Sequence, residues 1–279
     1  MNPQSGSLKQ KTSFYYPLLL LSPGKRRALE TLYRFCWAAD EISDSSDPLP
    51  SKKKKLNIFK KDLSDCFSRK SQEPFFRRLE FVINEFQLSR KPLDLILQGV
   101  EQDLKPIRFN KFSQLHGYAL KVAGGPGLSS MEIFGFRDRA HRDYAENLGV
   151  FLQIVNIVRD YKEDLGLGRQ YLPGEDFKRF HLNPSHIGER DSLWKPFVEF
   201  QLDRAWSFLE KARSSLTLGQ RSQLPTAEAI AAVYVKLFQK LKEHPYLILK
   251  GKAILSPSDK LISAVGAAGR CFISRLKGS

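Results

Sequence analysis

The residues best equipped for chemistry lie between Glu146 and Pro173, in ENLGVFLQIVNIVRDYKEDLGLGRQYLP. Gln153, Asn156, Asp160 and Asp164 are spaced 3, 4 and 4 apart, which puts them on one narrow stripe of a helix. Around them Val150, Phe151, Ile154, Val155, Ile157, Val158, Tyr161 and Leu165 make the rest of the surface largely apolar. A surface helix carries one apolar stripe and a broad polar face. The inverse pattern predicts a buried helix whose acidic line faces an internal cavity. Asp160 and Asp164 stand one turn apart, about 6 Å along the axis. Two carboxylates that close repel unless a cation lies between them, and burial sharpens the cost. Paired hard oxygens suit Mg²⁺, which keeps waters and takes further oxygens from substrate phosphates. On this stretch alone, pairing of Asp160 with Arg159 or Lys162 on a solvated face explains the pattern equally well.

A second acidic stretch breaks the tie. In Asp40-Glu41-Ile42-Ser43-Asp44 the two aspartates repeat the one-turn spacing, with Trp37 and Tyr33 one and two turns earlier on the same face. Leu29, Leu32, Phe35, Cys36, Ala38 and Ala39 again leave little polar surface. Two apolar helices that each carry Asp-x₃-Asp, facing one another across a bundle, would hold Mg²⁺ ions and a diphosphate between them. Bridging metals neutralise a diphosphate leaving group, so an allylic C–O bond can ionise without acid. Apolar walls would shield the carbocation from water, and Arg159 and Arg169 would stabilise the released diphosphate. An isoprenoid diphosphate is therefore the leading substrate class.

The elements that must position these residues read as helices almost throughout. After a short apolar helix that Ser22-Pro23-Gly24 stops, helices are expected at about Lys25–Ser43, Leu56–Phe67, Glu73–Phe86, Pro92–Leu104, Lys111–Val122 and Gly127–Phe134. The acidic helix should begin near Asp138, and Phe197–Leu216, Thr226–Leu241 and Asp259–Leu276 follow. Lys52 to Lys55, with Asp47-Pro48-Leu49-Pro50, read as a solvated loop. Neither a linker nor a repeat divides the chain, so residues 1–279 are expected to form one all-α domain. A 42% hydrophobic and 11% aromatic composition is that of a folded globular protein.

The net charge of +15 allows a nucleic acid, an anionic lipid or a polyanionic small molecule as partner. The chain carries no nucleic-acid-binding signature, so nucleic acid is not expected. Cys36, Cys66 and Cys271 are too scattered for a disulfide framework or a zinc site, which fits a reducing cytoplasm. His181 and His186 read as surface residues beside Pro184. Met1 to Thr12 is polar and the following apolar run is short, so no cleaved leader is expected, and no stretch is long enough to span a bilayer.

With these motifs in their order, the chain resembles the squalene/phytoene synthases over nearly its whole length. Ser13-Phe14-Tyr15 resembles the family's N-terminal substrate motif, and Asp40-Glu41-x-x-Asp44 its first aspartate-rich motif. Gly99-Val100-Glu101-Gln102-Asp103 matches an intermediate acidic helix. Tyr118-x₃-Val122-Ala123-Gly124-x-x-Gly127 resembles the segment where the family kinks a helix beside the reaction centre. Gln153-x-x-Asn156-x-x-Arg159-Asp160-x₃-Asp164 with Gly168-Arg169-Gln170-Tyr171-Leu172-Pro173 resembles the second, most specific motif, and Ala232-x-Tyr234 also fits. The Ser-Phe-Tyr-Tyr start and Gly-Val-Glu-x-Asp-Leu look most like the bacterial presqualene diphosphate synthases of the hopanoid pathway.

The resemblance implies an all-α isoprenoid synthase bundle with a central cavity and a Mg²⁺-dependent prenyltransferase that condenses two farnesyl diphosphates to presqualene diphosphate. It also implies Asp40, Asp44, Asp160, Asp164 and Asn156 as metal ligands. Tyr33, Arg159, Tyr171 and Tyr234 would touch diphosphate or guide the cation. Ser13, Phe14, Trp37, Tyr118, Val122, Gly124, Gln153 and Arg169 would bind substrate. Three positions depart from the family pattern. Trp37 replaces an arginine and brings no charge to a diphosphate. Glu41 stands where a second aspartate is usual, and Gly125-Pro126 replaces a small-residue-and-valine pair.

Squalene, hydroxysqualene, dehydrosqualene and phytoene synthases share these residues. Trp37 and the basic charge also motivate a non-catalytic, membrane-associated relative. The chain has no Gly-x-Gly-x-x-Gly dinucleotide fingerprint, which weighs mildly against NADPH. Leu261 to Leu276, apolar with Arg270 and Arg275 interspersed, either rests on an anionic bilayer at the inner membrane face or packs as a last bundle helix. Downstream isoprenoid enzymes are the further partners such an activity would meet.

Overall fold

Apolar residues recur every three or four positions through most of the chain, and those runs fold as helices that bury the apolar side. The computed structural model describes residues 15–184, 187–188 and 192–278. The longer helices are α1 Pro23–Asp44, α2 Leu49–Phe67, α3 Pro74–Phe86, α4 Arg90–Asp103, α5 Phe112–Ala119, α6 Gly125–Phe134, α7 Arg139–Arg159, α8 Trp194–Ser215, α9 Pro225–Glu243 and α10 Pro257–Gly278. Short turns at Tyr161–Gly166, Gly174–Arg179, Leu218–Ser222 and Leu247–Lys250 link the later helices. Among the described residues no strand forms; one isolated parallel bridge joins Arg108 to Gln170.

Each predicted helix is present, within a few residues, and the lysine run is the main correction. Lys52 to Lys55 lie inside α2, which begins seven residues before the expected start. Pro50 sits in its first turn, where a missing N–H costs nothing, and lysine is a good helix former. Leu56, Leu63 and Cys66 then bury the helix from its other face. Phe59 packs between Phe35, at 5.2 Å, and Phe76, at 5.0 Å. His181 is exposed, as expected, and His186 lies outside the described residues.

Buried side chains gather into two cores. One lies within α1 to α4, around Leu29, Leu32, Phe35, Leu63, Leu79 and Leu97. The other lies among α7, α8 and α9, around Phe151, Ile154, Trp194, Phe197 and Leu241. Phe134 of α6 packs against both. The sheath around α7 is tight enough to require glycine at one point. A Cβ on Gly149 would stand 2.8 Å from the carbonyl carbon and oxygen of Ala123 and 2.9 Å from the Gly124 nitrogen.

Those backbone atoms belong to a π-helical turn, Leu120–Gly124, between α5 and α6. It coincides with the segment where a kink was anticipated. A π turn inserts one residue into the helical ladder, and such insertions often mark functional sites. α10 packs on α9 and on the Leu218–Ser222 turn, burying only Ala264, Ala267 and Cys271 among its closely packed residues.

Candidate active site

α1 and α7 bring the two aspartate pairs to one cavity where the cores meet. Asp40 and Asp44 reach it from α1, Asp103 from the end of α4, and Val122 from the π turn. Gln153, Asn156 and Arg159 come from α7, with Asp160 at its C-cap and Asp164 one turn beyond. The helix does not run straight through the motif, as the stripe alone suggests. Asp160 leaves helical geometry at φ −95° and ψ 8°, ending α7 at Arg159. The Asp164 N–H nevertheless donates to the Asp160 carbonyl at 2.9 Å, which keeps the two carboxylates one turn apart. After them Gly168 takes φ 72°, in the left-handed region that suits glycine, and the chain folds back. That return carries the Arg169 guanidinium to Asp44, 2.8 Å away across the cavity.

Crowding of carboxylates sets the electrostatics. Burial, with the charges of Asp103 and Asp44, pushes the Asp40 carboxyl up to about 7, against the opposing pull of Arg169. The Asp40 side chain is open to the cavity but surrounded by protein. Burial and the neighbouring Asp160 likewise push Asp164 up to about 7. Asp160 is clamped by Arg159 through Nε at 2.7 Å and Nη2 at 2.5 Å, and Lys252 Nζ lies 3.2 Å from it. Asp160 does pair with Arg159, but inside a cavity shared with four further aspartates rather than on a solvated face. Asp103 accepts from both Tyr118 and Tyr171, each at 2.8 Å, and the two rings stack at 5.0 Å.

Behind this polar chamber lies an apolar one, lined by Tyr33, Val122, Ala123, Met131, Phe134, Leu148, Leu152, Ile230 and Tyr234 among others. Cys36, Val122, Gln153 and Asn156 line both, so they form the wall between them. Asn156 hydrogen-bonds the Tyr234 hydroxyl, while its Oδ1 is buried without a partner. An oriented, unsatisfied carbonyl oxygen beside four carboxylates fits a hard cation. Among the described residues no three His, Cys, Asp or Glu side chains converge closely enough to chelate a metal by themselves. The donor set therefore suits Mg²⁺ that completes its shell with waters and phosphate oxygens. Asp40, Asp44, Asn156, Asp160 and Asp164 are the residues that would hold it.

Of the expected site residues, Asp40, Asp44, Tyr118, Val122, Gln153, Asn156, Arg159, Asp160, Asp164, Arg169 and Tyr171 line the polar chamber. Tyr33 and Tyr234 line the apolar one. Trp37 lines neither, and Cys36 stands in its place. Cys36 precedes Asp40 by four residues and Trp37 by three, on the two sides of the stripe, and the packing of α1 turns the cysteine inward. Gly124 shapes the π turn rather than a cavity wall. Ser13 and Phe14 lie outside the described residues. Lys252 carries no signal in the sequence, because nothing near it is acidic. Asp103 had a signal, its place in the acidic Gly99–Asp103 segment, without a role attached.

Residues 8–259 match the squalene/phytoene synthase family model. The chloroplastic phytoene synthase of an Oncidium hybrid cultivar is 27% identical over 270 residues, covering 94% of this chain and 65% of that protein. The 15-cis-phytoene synthase of Synechocystis sp. is 28% identical over 265 residues, covering 90% of this chain and 78% of that one. The chain thus spans about two thirds of the length of the first of these relatives. The crystal structure of squalene synthase HpnC from Alicyclobacillus acidocaldarius superposes with TM-score 0.77 at 20% identity, over 85% of this chain and 90% of that one. A dehydrosqualene synthase in complex with ligand also gives 0.77, at 22% identity, over 97% and 94%. At these identities the structural likenesses establish the all-α fold.

Proposed function

The chain belongs to the squalene/phytoene synthase family, and from that premise we propose that it joins two farnesyl diphosphates head to head into presqualene diphosphate. One observation carries the reading: two Asp-x₃-Asp pairs and an orphaned Asn156 carbonyl face one polar chamber that abuts an apolar one. Such a pair of chambers takes a diphosphate at one end and a prenyl chain at the other. Bound Mg²⁺ supplies the positive charge that lets an allylic C–O bond break with its electron pair on the departing diphosphate.

Arg159, Arg169 and Lys252 lie at that end, paired with Asp160 and Asp44, where they would hold the departing group. Met131, Phe134, Leu148, Leu152 and Ile230 exclude water from the carbocation. The Tyr33 and Tyr234 hydroxyls, pushed above their usual range chiefly by burial, stay neutral and offer only dipoles to it. The second prenyl double bond then adds to the cation, and loss of one proton closes the cyclopropane while one diphosphate is retained.

A second reading follows from the relatives. Their names are phytoene synthases, so the longer donor and a C40 product are the alternative within the same mechanism. Purified protein is incubated with farnesyl or geranylgeranyl diphosphate and Mg²⁺, with and without NADPH, and the products are weighed. Presqualene diphosphate formed without NADPH supports the first reading, and a C40 product the second. The Asp160→Ala variant should lose at least about a thousandfold in turnover, about 4 kcal/mol in barrier, while its melting curve stays cooperative. Turnover that survives in Asp160→Ala would point to a non-catalytic relative with a contaminating activity.

A further inference from the structure

The last helix has two apolar sides, and the bundle uses only one of them. Ala264, Ala267 and Cys271 face the core. Leu261, Ile262, Val265, Phe272, Ile273 and Leu276 are all exposed, Ile262 at 71% and Phe272 at 63%. At 100° per residue these six fall within an arc of about 120°, roughly a third of the helix circumference. Isolated exposed apolar residues are ordinary, but six on one arc of one helix form a contiguous patch. Arg270 lies about 60° beyond one edge of the arc and Arg275 about 40° beyond the other. From Gly251 to Ser279 the sequence carries Lys252, Lys260, Arg270, Arg275 and Lys277 against the single acid Asp259.

We propose that this face seats the protein on an anionic bilayer surface, with the helix in the plane of the interface. A strip of large apolar side chains bordered by basic ones matches acyl chains flanked by anionic headgroups. The same charges oppose a second copy of the chain as occupant. Pairing two such faces would bring Arg270 and Arg275 of each against those of the other in a protein of net charge +15. Among the described residues no helix is long and apolar enough to cross a membrane, so attachment here is in-plane. The fit to function rests on the reading above: a prenyl-chain product is far more soluble in lipid than in water and needs a bilayer to enter.

The test is flotation of the full chain with vesicles of phosphatidylcholine alone and with about one third phosphatidylglycerol, at physiological salt. The wild type should bind the anionic vesicles at least tenfold more tightly than the neutral ones. The double variant I262D/F272D should lose that binding, and R270E should reduce the preference for anionic lipid without abolishing attachment. If I262D/F272D fails to give a cooperative melt, I262S/F272S replaces it, since both side chains are exposed. Absence of wild-type binding to anionic vesicles, binding unchanged in the apolar variants, or a dimer in sedimentation that these variants dissolve would each overturn the proposal. Turnover in detergent, measured beside flotation, keeps the two readings apart. Lipid binding without turnover sinks only the enzymatic one, and turnover without lipid binding only this one.

Discussion

Asp160 holds two cations of its own chain, and this fixes what a single substitution at the cavity can do. Arg159 grips both of its oxygens, while Lys252 reaches it from the loop before α10 and also lies 3.3 Å from Glu163. Arg159 is largely buried, so removing it would strand a carboxylate in a crowded site. Lys252 is 41% exposed, and its pairing contributes little to stability because solvent screens it. Its worth should appear instead when a metal claims Asp160 and the ammonium is left facing the diphosphate. Lys252→Met is therefore expected to raise KM for the prenyl diphosphate by about tenfold, 1.4 kcal/mol, with the melting temperature almost unmoved. Steady-state kinetics beside a thermal melt decides this. A lowered melting temperature with an unchanged KM would show that Lys252 only braces its loop.

At the scale of elements, the π turn and α7 are locked by backbone contact, and the lock is testable at Gly149. The atoms a new Cβ would meet belong to the main chain of Ala123 and Gly124, which cannot rotate away. Gly149→Ala should cost about 1–3 kcal/mol, the usual range for overpacking. It should also lower activity, because the displaced turn carries Val122, part of the wall between the chambers. Gly117 in α5 has nothing within 4 Å of the same added atom. Gly117→Ala should gain about 0.5–1 kcal/mol through helix propensity. Calorimetry on the pair separates the two effects, and a neutral Gly149→Ala would mean that α7 can shift freely.

The same elements show how far the sequence could be read. Apolar spacing of three and four betrayed every long helix, and the acidic stripes of α1 and α7 stood out because their surroundings are apolar. Charged residues carry no such spacing, so the lysines of α2 read as loop. The ending of α7 at Asp160 turns on the dihedrals of one residue, and a fixed 100° step does not see that. Nor does it see the few tens of degrees by which α1 rotates Cys36 rather than Trp37 into the cavity.

For the whole molecule, the carboxylates of the cavity link folding to pH. Asp40 and Asp164 bind protons up to about pH 7 in the folded chain, against 3.8 for an ordinary aspartate in an unfolded chain. Between those limits the folded state holds more protons than the unfolded state. Stability of the metal-free protein therefore falls as pH rises from about 4 to 7. Net charge works the other way, since acidification adds positive charge to a chain already at +15. At about 0.15 M salt the Debye length is about 8 Å, which screens that repulsion more than it screens a buried pair. The metal-free protein should thus melt higher at pH 5.5 than at pH 8.

Mg²⁺ with inorganic diphosphate needs the deprotonated carboxylates, so it should offset much of that difference. At a ligand concentration about a hundredfold above Kd, binding adds roughly 2.7 kcal/mol at pH 8, and protonation erodes this at pH 5.5. For a chain of this size that is a rise of roughly 5–10 °C. Melts at both pH values, with and without the ligand pair, supply the four numbers required. The double variant D40N/D164N should flatten the metal-free pH slope and lose the ligand-induced rise together. A slope that persists in that variant would assign the linkage to other groups, and the two aspartates would then be ordinary charges near a cavity that some other anion fills.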